Sequence, residues 1–263
     1  MSRRPRRRLL HTSDVHLGAY YDSAEQRAQR EAAFRGVIDI GLRERVDVML
    51  IAGDFFDNSR VHLDAIEFAS REIARLGCPV IVSPGNHDHA GIDSVYDRLE
   101  ALTLTPNLSI IRQRAGETIA LTDLGIDVWG RAHTDTDGTT FVPFEDAPPR
   151  GDADWQIGIG HGHFLHEGST WRPSFQIREA DLEALDRDYV ALGHWDGMTR
   201  VPSGAQGGVA AYCGSPDLLG EITGCGYALV IDLCEDGSVR LVAHPTDGGL
   251  PVAHEDIPLL SHG

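Results

Sequence analysis

Five apolar runs, each closed by a cluster of Asp, Asn or His, constrain this chain more than any other feature. Leu9-Leu10 precedes Asp14-Val15-His16, Val48-Met49-Leu50-Ile51 precedes Gly53-Asp54, and Val80-Ile81-Val82 precedes Gly85-Asn86-His87-Asp88. Ile157-Gly158-Ile159 precedes Gly160-His161-Gly162-His163, and Tyr189-Val190-Ala191-Leu192 precedes Gly193-His194-Trp195-Asp196. Runs apolar at consecutive positions and rich in β-branched residues read as strands buried on both faces. Packing alone does not require acids and imidazoles to recur at their ends. In a layered α/β fold the carboxyl ends of strands converge on one sheet edge, where such folds build their sites. Oxygen ligands mixed with imidazoles, with no Cys among them, suit a pair of divalent cations of the Mn, Fe or Zn type better than a structural zinc.

The segments between these runs alternate in kind. Ser23-Ala24-Glu25-Gln26 has the spacing of a capping box, and Ala33, Phe34, Val37, Ile38 and Leu42 recur at helical intervals, which predicts a helix over about 23–44. A strand over 46–52 delivers Asp54. Leu63, Ile66, Ala69, Ile73 and Leu76 then mark a second helix ended by Gly77, and Cys78-Pro79 opens the next strand. This order predicts right-handed crossovers and a largely parallel sheet. Leu108 to Ile111, and the pair 118–121 and 126–129 joined through Asp123-Leu124-Gly125, read as antiparallel strands, so a second sheet is implied. Residues 134–154, rich in Thr, Asp, Gly and Pro, read as a long loop, expected to lie over a site or to be mobile. Further strands are expected over 209–213, 227–233 and 239–243, the last two turning at Glu235-Asp236-Gly237-Ser238.

With 263 residues and 41% hydrophobic content, the chain is expected to form one large α/β domain over residues 9–263, behind a basic, disordered tail of residues 1–8. No apolar stretch approaches the ~20 residues of a membrane span, and Arg3 to Arg8 are followed by only Leu9 and Leu10 before His11, which argues against a secretory signal. Cys78, Cys213, Cys225 and Cys234 show no CxxC spacing and read as reduced thiols of a cytoplasmic protein. All 23 basic residues are Arg; five fall in residues 1–8, leaving 18 against 40 acids, a formal −22. That is a poor footprint for tight nucleic-acid binding, which needs a basic face. The Arg run is free to touch phosphate or an acidic partner, or simply to solubilise a terminus.

The ordered set Asp-x-His, Gly-Asp, Gly-Asn-His-Asp, His and Gly-His-x-His resembles the calcineurin-like metallophosphoesterases, and every position but the last matches. Ala52-Gly53-Asp54-Phe55-Phe56-Asp57, and Tyr189 to His194 followed by Tyr212-Cys213-Gly214-Ser215-Pro216, resemble the SbcD-like nuclease subunits of double-strand-break repair complexes. The resemblance covers roughly residues 9–233. It implies a four-layer α/β/β/α sandwich with two mixed sheets. It also implies two divalent metal ions, Mn first with Fe or Zn as alternatives: Asp14, His16 and Asp54 on the first, Asn86, His161 and His194 on the second, Asp54 bridging. The pair would turn a shared water into hydroxide that attacks a phosphodiester, with His87 as general acid and Asp57 orienting it. Asp196 stands where the family supplies a second His to the first metal; a carboxylate there favours harder ions such as Mn²⁺. The substrate implied is a phosphoester, a nucleotide or a nucleic-acid end; neither a membrane nor a particular partner protein is implied. The chain is shorter than such nucleases, so their additional domain and partner-binding helices are not expected.

Several positions carry two readings. Asp57-Asn58-Ser59 is also ordinary turn and N-cap chemistry, and Asp196 before Gly197 is also a turn. His163 and His166 either approach the site or are strand-end and loop histidines; His11 reads as a satisfied core residue. Trp171 and Arg172 either line a substrate groove or pack on the domain. Three functions compete: a phosphodiesterase acting on nucleic-acid ends or nucleotides, a small-molecule phosphoesterase, and a noncatalytic metal-binding module.

Overall fold

The computed structural model describes residues 4–101, 106–134, 141–165, 174–203, 208–218 and 223–260. His166, Trp171 and Arg172 lie outside the described residues. Strands β1 (Arg7–Thr12), β2 (Val48–Ala52), β3 (Val80–Ser83) and β4 (Leu108–Ile110) run parallel, in that order. Helices α1 (Ala24–Glu44), α2 (Leu63–Leu76) and α3 (Val95–Ala101) fall between them in the chain. In the second sheet, β5 (Glu117–Leu121) and β6 (Ile126–Gly130) are antiparallel, while β7 (Trp155–His161) lies parallel to β6. The small parallel pair β8 (His163–Leu165) and β9 (Gln176–Arg178) and helix α4 (Glu179–Leu185) follow. The second sheet is completed by β10 (Tyr189–Gly193), β11 (Thr199–Val201) and β12 (Val209–Tyr212), in the order β11-β12-β10-β7-β6-β5. The chain then returns to the first sheet with β13 (Tyr227–Leu233), β14 (Val239–Pro245) and β15 (Val252–Ala253), giving β15-β14-β13-β1-β2-β3-β4. Both sheets are mixed.

Strand periodicity builds the layers. Along β2 successive side chains alternate faces: Met49 and Ile51 pack with Phe34, Val37 and Ile38 of α1 and Ile66, Ala69 and Ile73 of α2. Val48, Leu50 and Ala52 face Trp155, Ile157, Ile159, Tyr189 and Ala191 of the other sheet. On the far side Val190 and Leu192 pack with Leu182 and Leu185 of α4 and with Phe144 and Phe164. Three apolar layers therefore separate four structural ones, and each fully buried Leu, Ile, Val or Phe contributes roughly 1.5–3 kcal/mol. Among the described residues the fourth layer is thin: one short helix, with Phe144 of the segment that follows β6 packed against it.

Helix α1 starts as its sequence demands, with Ser23 and Gln26 forming the reciprocal capping box. Gly77 ends α2 at φ 72°, a left-handed position that glycine adopts without a Cβ penalty. Two readings are corrected. Residues 108–110 do not form an antiparallel strand; β4 extends the first sheet parallel to β3, because Asn107 O accepts from Val80 N and places it on that open edge. The basic run is not a disordered tail from Arg4 onward. Strand β1 already begins at Arg7, in antiparallel register with β13. Arg4 pairs with Asp188 at 2.8 Å, and Arg8 and Arg6 pair with Asp232 at 2.9 and 3.1 Å. The acid excess elsewhere supplies the counter-charges that order these residues.

Candidate metal centre

The parallel strands β1, β2, β3, β7 and β10 all end at one edge, and the loops leaving them carry the clustered residues. The ends are held together by backbone: Asp14 N donates to Gly53 O (3.1 Å), His16 N to Asp54 O (3.0 Å) and Gly162 N to Gly193 O (3.1 Å). Asp14, His16 and Asp54 have φ of 51°, 50° and 48°, and His194 has 108°. Positive φ is uncommon outside glycine, and Asp and His are among the types that tolerate it. Four such residues at one edge, each costing about 1–3 kcal/mol, mark a backbone shaped to aim side chains. Glycines permit the crowding. A Cβ on Gly193 would stand 1.7 Å from Ala52 O, and one on Gly85 would stand 2.2 Å from Asp54 Oδ1.

Two donor groups share Asp54: Asp14 with His16 and Asp54, and Asp54 with His161 and His194, the ligand atoms of each lying within 4.8 Å of one another. His161 is fixed by its Nδ1, which donates to Ala52 O at 3.0 Å, so its Nε2 lone pair faces the site. Around that nitrogen stand Asp54 Oδ2 at 3.1 Å, Asn86 Oδ1 at 3.1 Å and His194 Nδ1 at 3.3 Å. Four atoms able to offer lone pairs thus converge, a donor set that suits a divalent cation. Asp14 is held from outside by Ser13 Oγ and by His194 N at 3.0 Å.

The charges fit the same picture. Burial pushes the Asp14 carboxyl up to about 7, with Asp54 adding to the rise and His161 opposing it. Burial also acts to raise Asp54, but His161, then His16 and His87, hold it well below the usual carboxylate range. Burial opposes charge on His161, yet Asp54 and Asp14 raise it to about 9. His194 is lowered to about 3 by burial and by the neighbouring His161. The acids favour positive charge at His161, a charge that a bound cation would supply instead.

His87 is exposed, donates through its backbone N to Asp54 Oδ1 (2.9 Å) and lies edge-on to His16, ring centroids 4.8 Å apart. Asp57 touches it differently from the sequence expectation. The backbone carbonyl of Asp57, not its carboxylate, accepts from His87 Nδ1 at 2.9 Å. The carboxylate instead faces His16 Nδ1 at 3.7 Å and accepts from Asn58. A carboxylate at turn position 57 points along its own loop, whereas the carbonyl points across to the next one. Among the described residues a third donor group, His16 with Asp57 and His87, results. Asp196 is in none of the three groups; it lines a groove of about 630 Å³ beside His194.

The structure gives four further residues their partners. Buried Asp88 accepts from Gly85 N (2.7 Å), Phe56 N (3.0 Å) and Tyr96 OH (2.5 Å), tying the Asn86–His87 turn to the Asp54 loop. Buried His133 donates from Nε2 to His161 O at 2.8 Å. Its position just past β6, the neighbour of the His161 strand, is the sequence signal for it. His163 accepts from Trp195 Nε1 at 3.1 Å, and His11 is a core residue bonded to Tyr189 OH at 2.8 Å.

The chain is 29% identical over 244 residues to the DNA double-strand break repair protein Mre11 of Saccharolobus solfataricus, a match covering 87% of this chain and 61% of that protein. It is 34% identical over 246 residues to the SbcD component of the nuclease SbcCD of Escherichia coli, covering 80% and 60%. The chain thus spans about three-fifths of the length of these relatives. In fold it resembles TT1561 of Thermus thermophilus (TM-score 0.60, 10% identity, 92% of this chain and 100% of that one). It also resembles the purple acid phosphatase PPD1 of yellow lupin (TM-score 0.58, 12% identity, 95% and 53%). The sequence profile of the calcineurin-like phosphoesterases matches residues 7–196, which contain every donor described above, and the chain belongs to that family.

Proposed function

We propose that this domain hydrolyses phosphodiesters with two divalent cations, Mn²⁺ first among them, held by Asp14, His16 and Asp54 on one side and by Asp54, Asn86, His161 and His194 on the other. One observation carries the reading: among the described residues Asp54 alone belongs to both the Asp14–His16 and the His161–His194 donor groups, which is the position a bridging carboxylate must occupy. When bound, such a pair supplies Lewis acidity to the phosphoryl oxygens and an activated water. The protein does the rest. Ala52 O fixes the tautomer of His161, and the backbone of His194 and Ser13 Oγ fix Asp14, so the donors are set before any ligand arrives. His87, anchored by Nδ1 to Asp57 O, leaves Nε2 to carry a proton to the departing oxygen, and its backbone bond to Asp54 keeps that acid in register with the donors. Asp57 positions His87 through its carbonyl.

The relatives named for double-strand-break repair and for nuclease activity support nucleic-acid ends or nucleotides as the substrate class. The formal charge of −17 favours nucleotides and other small diesters over duplex DNA, whose backbone it repels. Four free cysteines suit the reducing cytoplasm, and no described helix is long and apolar enough to cross a membrane. The test is hydrolysis of bis-p-nitrophenyl phosphate under Mn²⁺, together with metal analysis of Asp54→Ala. The wild type turns the ester over and binds two ions; the variant weakens both together. Two ions held at wild-type affinity in Asp54→Ala would overturn the bridging role, and a wild type inert with Mn²⁺, Fe²⁺ and Zn²⁺ alike would overturn the activity.

A further inference from the structure

The turn that follows β10 divides its duties. His194 faces His161, while Trp195 and Asp196 line the neighbouring groove of about 630 Å³ together with Met198, Thr199 and Leu260, and His194 itself forms part of the wall. The groove is shallow and open to solvent. The Trp195 indole lies flat on the Tyr212 ring, with centroids 4.5 Å apart and planes 10° from parallel. Tyr212 is fully buried; its hydroxyl donates to Gly162 O (2.7 Å) and accepts from Phe164 N (2.9 Å). With its Nε1 donated to His163 Nδ1, the indole is fixed at one face and one edge while remaining half-buried at the groove. A rigid aromatic platform has little side-chain freedom left to lose when a planar group stacks on it. Asp196 adds acceptor oxygens to the same wall, which suit ring N–H and amino donors and repel a second phosphate.

We infer that this groove is a nucleobase subsite. With the phosphate on the His194 side, the base of the nucleoside retained after hydrolysis stacks at Trp195 and presents its N–H groups to Asp196. The charge of Asp196 fits the groove to a single-nucleoside diester rather than to a continuous strand with flanking phosphates. This inference rests on the phosphodiesterase reading above and names the substrate class for that site.

The test compares two diesters with the same leaving group, guanosine p-nitrophenyl phosphodiester and methyl p-nitrophenyl phosphate, on the full chain and on Trp195→Ala, Trp195→Leu and Trp195→Phe. Loss of base stacking lowers the guanosine-to-methyl ratio of kcat/KM by about 5- to 150-fold in the Ala and Leu variants, and Phe restores most of it. Trp195→Leu retains apolar bulk against Tyr212 and serves if the Ala variant does not fold. An unchanged ratio, including a parallel loss on both esters, overturns the subsite. If the wild type cleaves neither ester, the phosphodiesterase reading fails on its own, and calorimetric titration with guanosine monophosphate decides the subsite. Weaker binding by the Ala or Leu variant supports it, and equal or absent binding overturns it.

Discussion

Gly85→Ala should abolish most of the activity without unfolding the protein. The new Cβ would lie 2.2 Å from Asp54 Oδ1 and 2.6 Å from Asp54 N, and the second of these is backbone held in the β2 turn. The carboxylate therefore has to retreat by about 1 Å, which breaks its bond from His87 N (2.9 Å) and moves its other oxygen off His161 Nε2 (3.1 Å). A misplacement of about 1 Å in a preorganised site typically costs ~10²-fold in rate. Overpacking of this kind costs about 1–3 kcal/mol of stability, and a melting temperature lowered by roughly 2–12 °C. Gly237→Ala is the control: Gly237 has a positive φ, 86°, which Gly85 does not, and nothing lies within 4 Å of its Cβ position, so backbone strain is incurred with no change in rate. Turnover of bis-p-nitrophenyl phosphate at saturating Mn²⁺, with metal content and thermal melting recorded on both variants, reads the two effects separately. A folded Gly85→Ala with turnover within about threefold of wild type would refute the role given to the Asp54 carboxylate.

Three further outcomes are expected. His87→Ala should slow an unactivated phosphodiester by ~10²–10⁴-fold while sparing a nitrophenyl ester and leaving metal content intact, because only a poor leaving oxygen needs the proton; equal losses would make His87 a phosphate-positioning group. Asp196→Ala should retain two metals at matched free Mn²⁺, since Asp196 lies outside all three donor groups, and loss of one ion would restore it to the ligand set. His11, buried and lowered from 6.5 to about 3, stays neutral in the fold while the unfolded chain takes up a proton; its penalty is absent above 6.5 and grows as pH falls from there toward 3. Urea unfolding should therefore show wild type losing about 1.4 kcal/mol more than His11→Asn between about pH 7.5 and about pH 5.5, and identical losses would refute this.

Much of the fold is legible in local sequence. The capping box at Ser23, the apolar spacing of α2 and its stop at Gly77 are local signals, and each element formed where they put it. The donor clusters are legible for a related reason: a parallel strand buried on both faces has only its ends exposed, so acids and imidazoles just beyond five such strands must share an edge. What residue types do not encode is which neighbour a strand or side chain finds. The run at 108–110 has the same apolar character in either direction, and only the open edge of β3 made it parallel. Arg4, Arg6 and Arg8 became ordered because Asp188 and Asp232, distant in sequence, meet them in space. The same holds at the site. Local chemistry marked Asp57, but tertiary packing decided that its carbonyl meets His87 while its carboxylate turns to His16. Sequence marked the turn from Gly193 to Asp196 as a single cluster, and the stacking of Trp195 on Tyr212 separated it into a donor, His194, and a groove wall. Composition and periodicity act along the chain, fixing which elements form and which residues end them; direction, partner and orientation follow from packing across it, which no single segment contains.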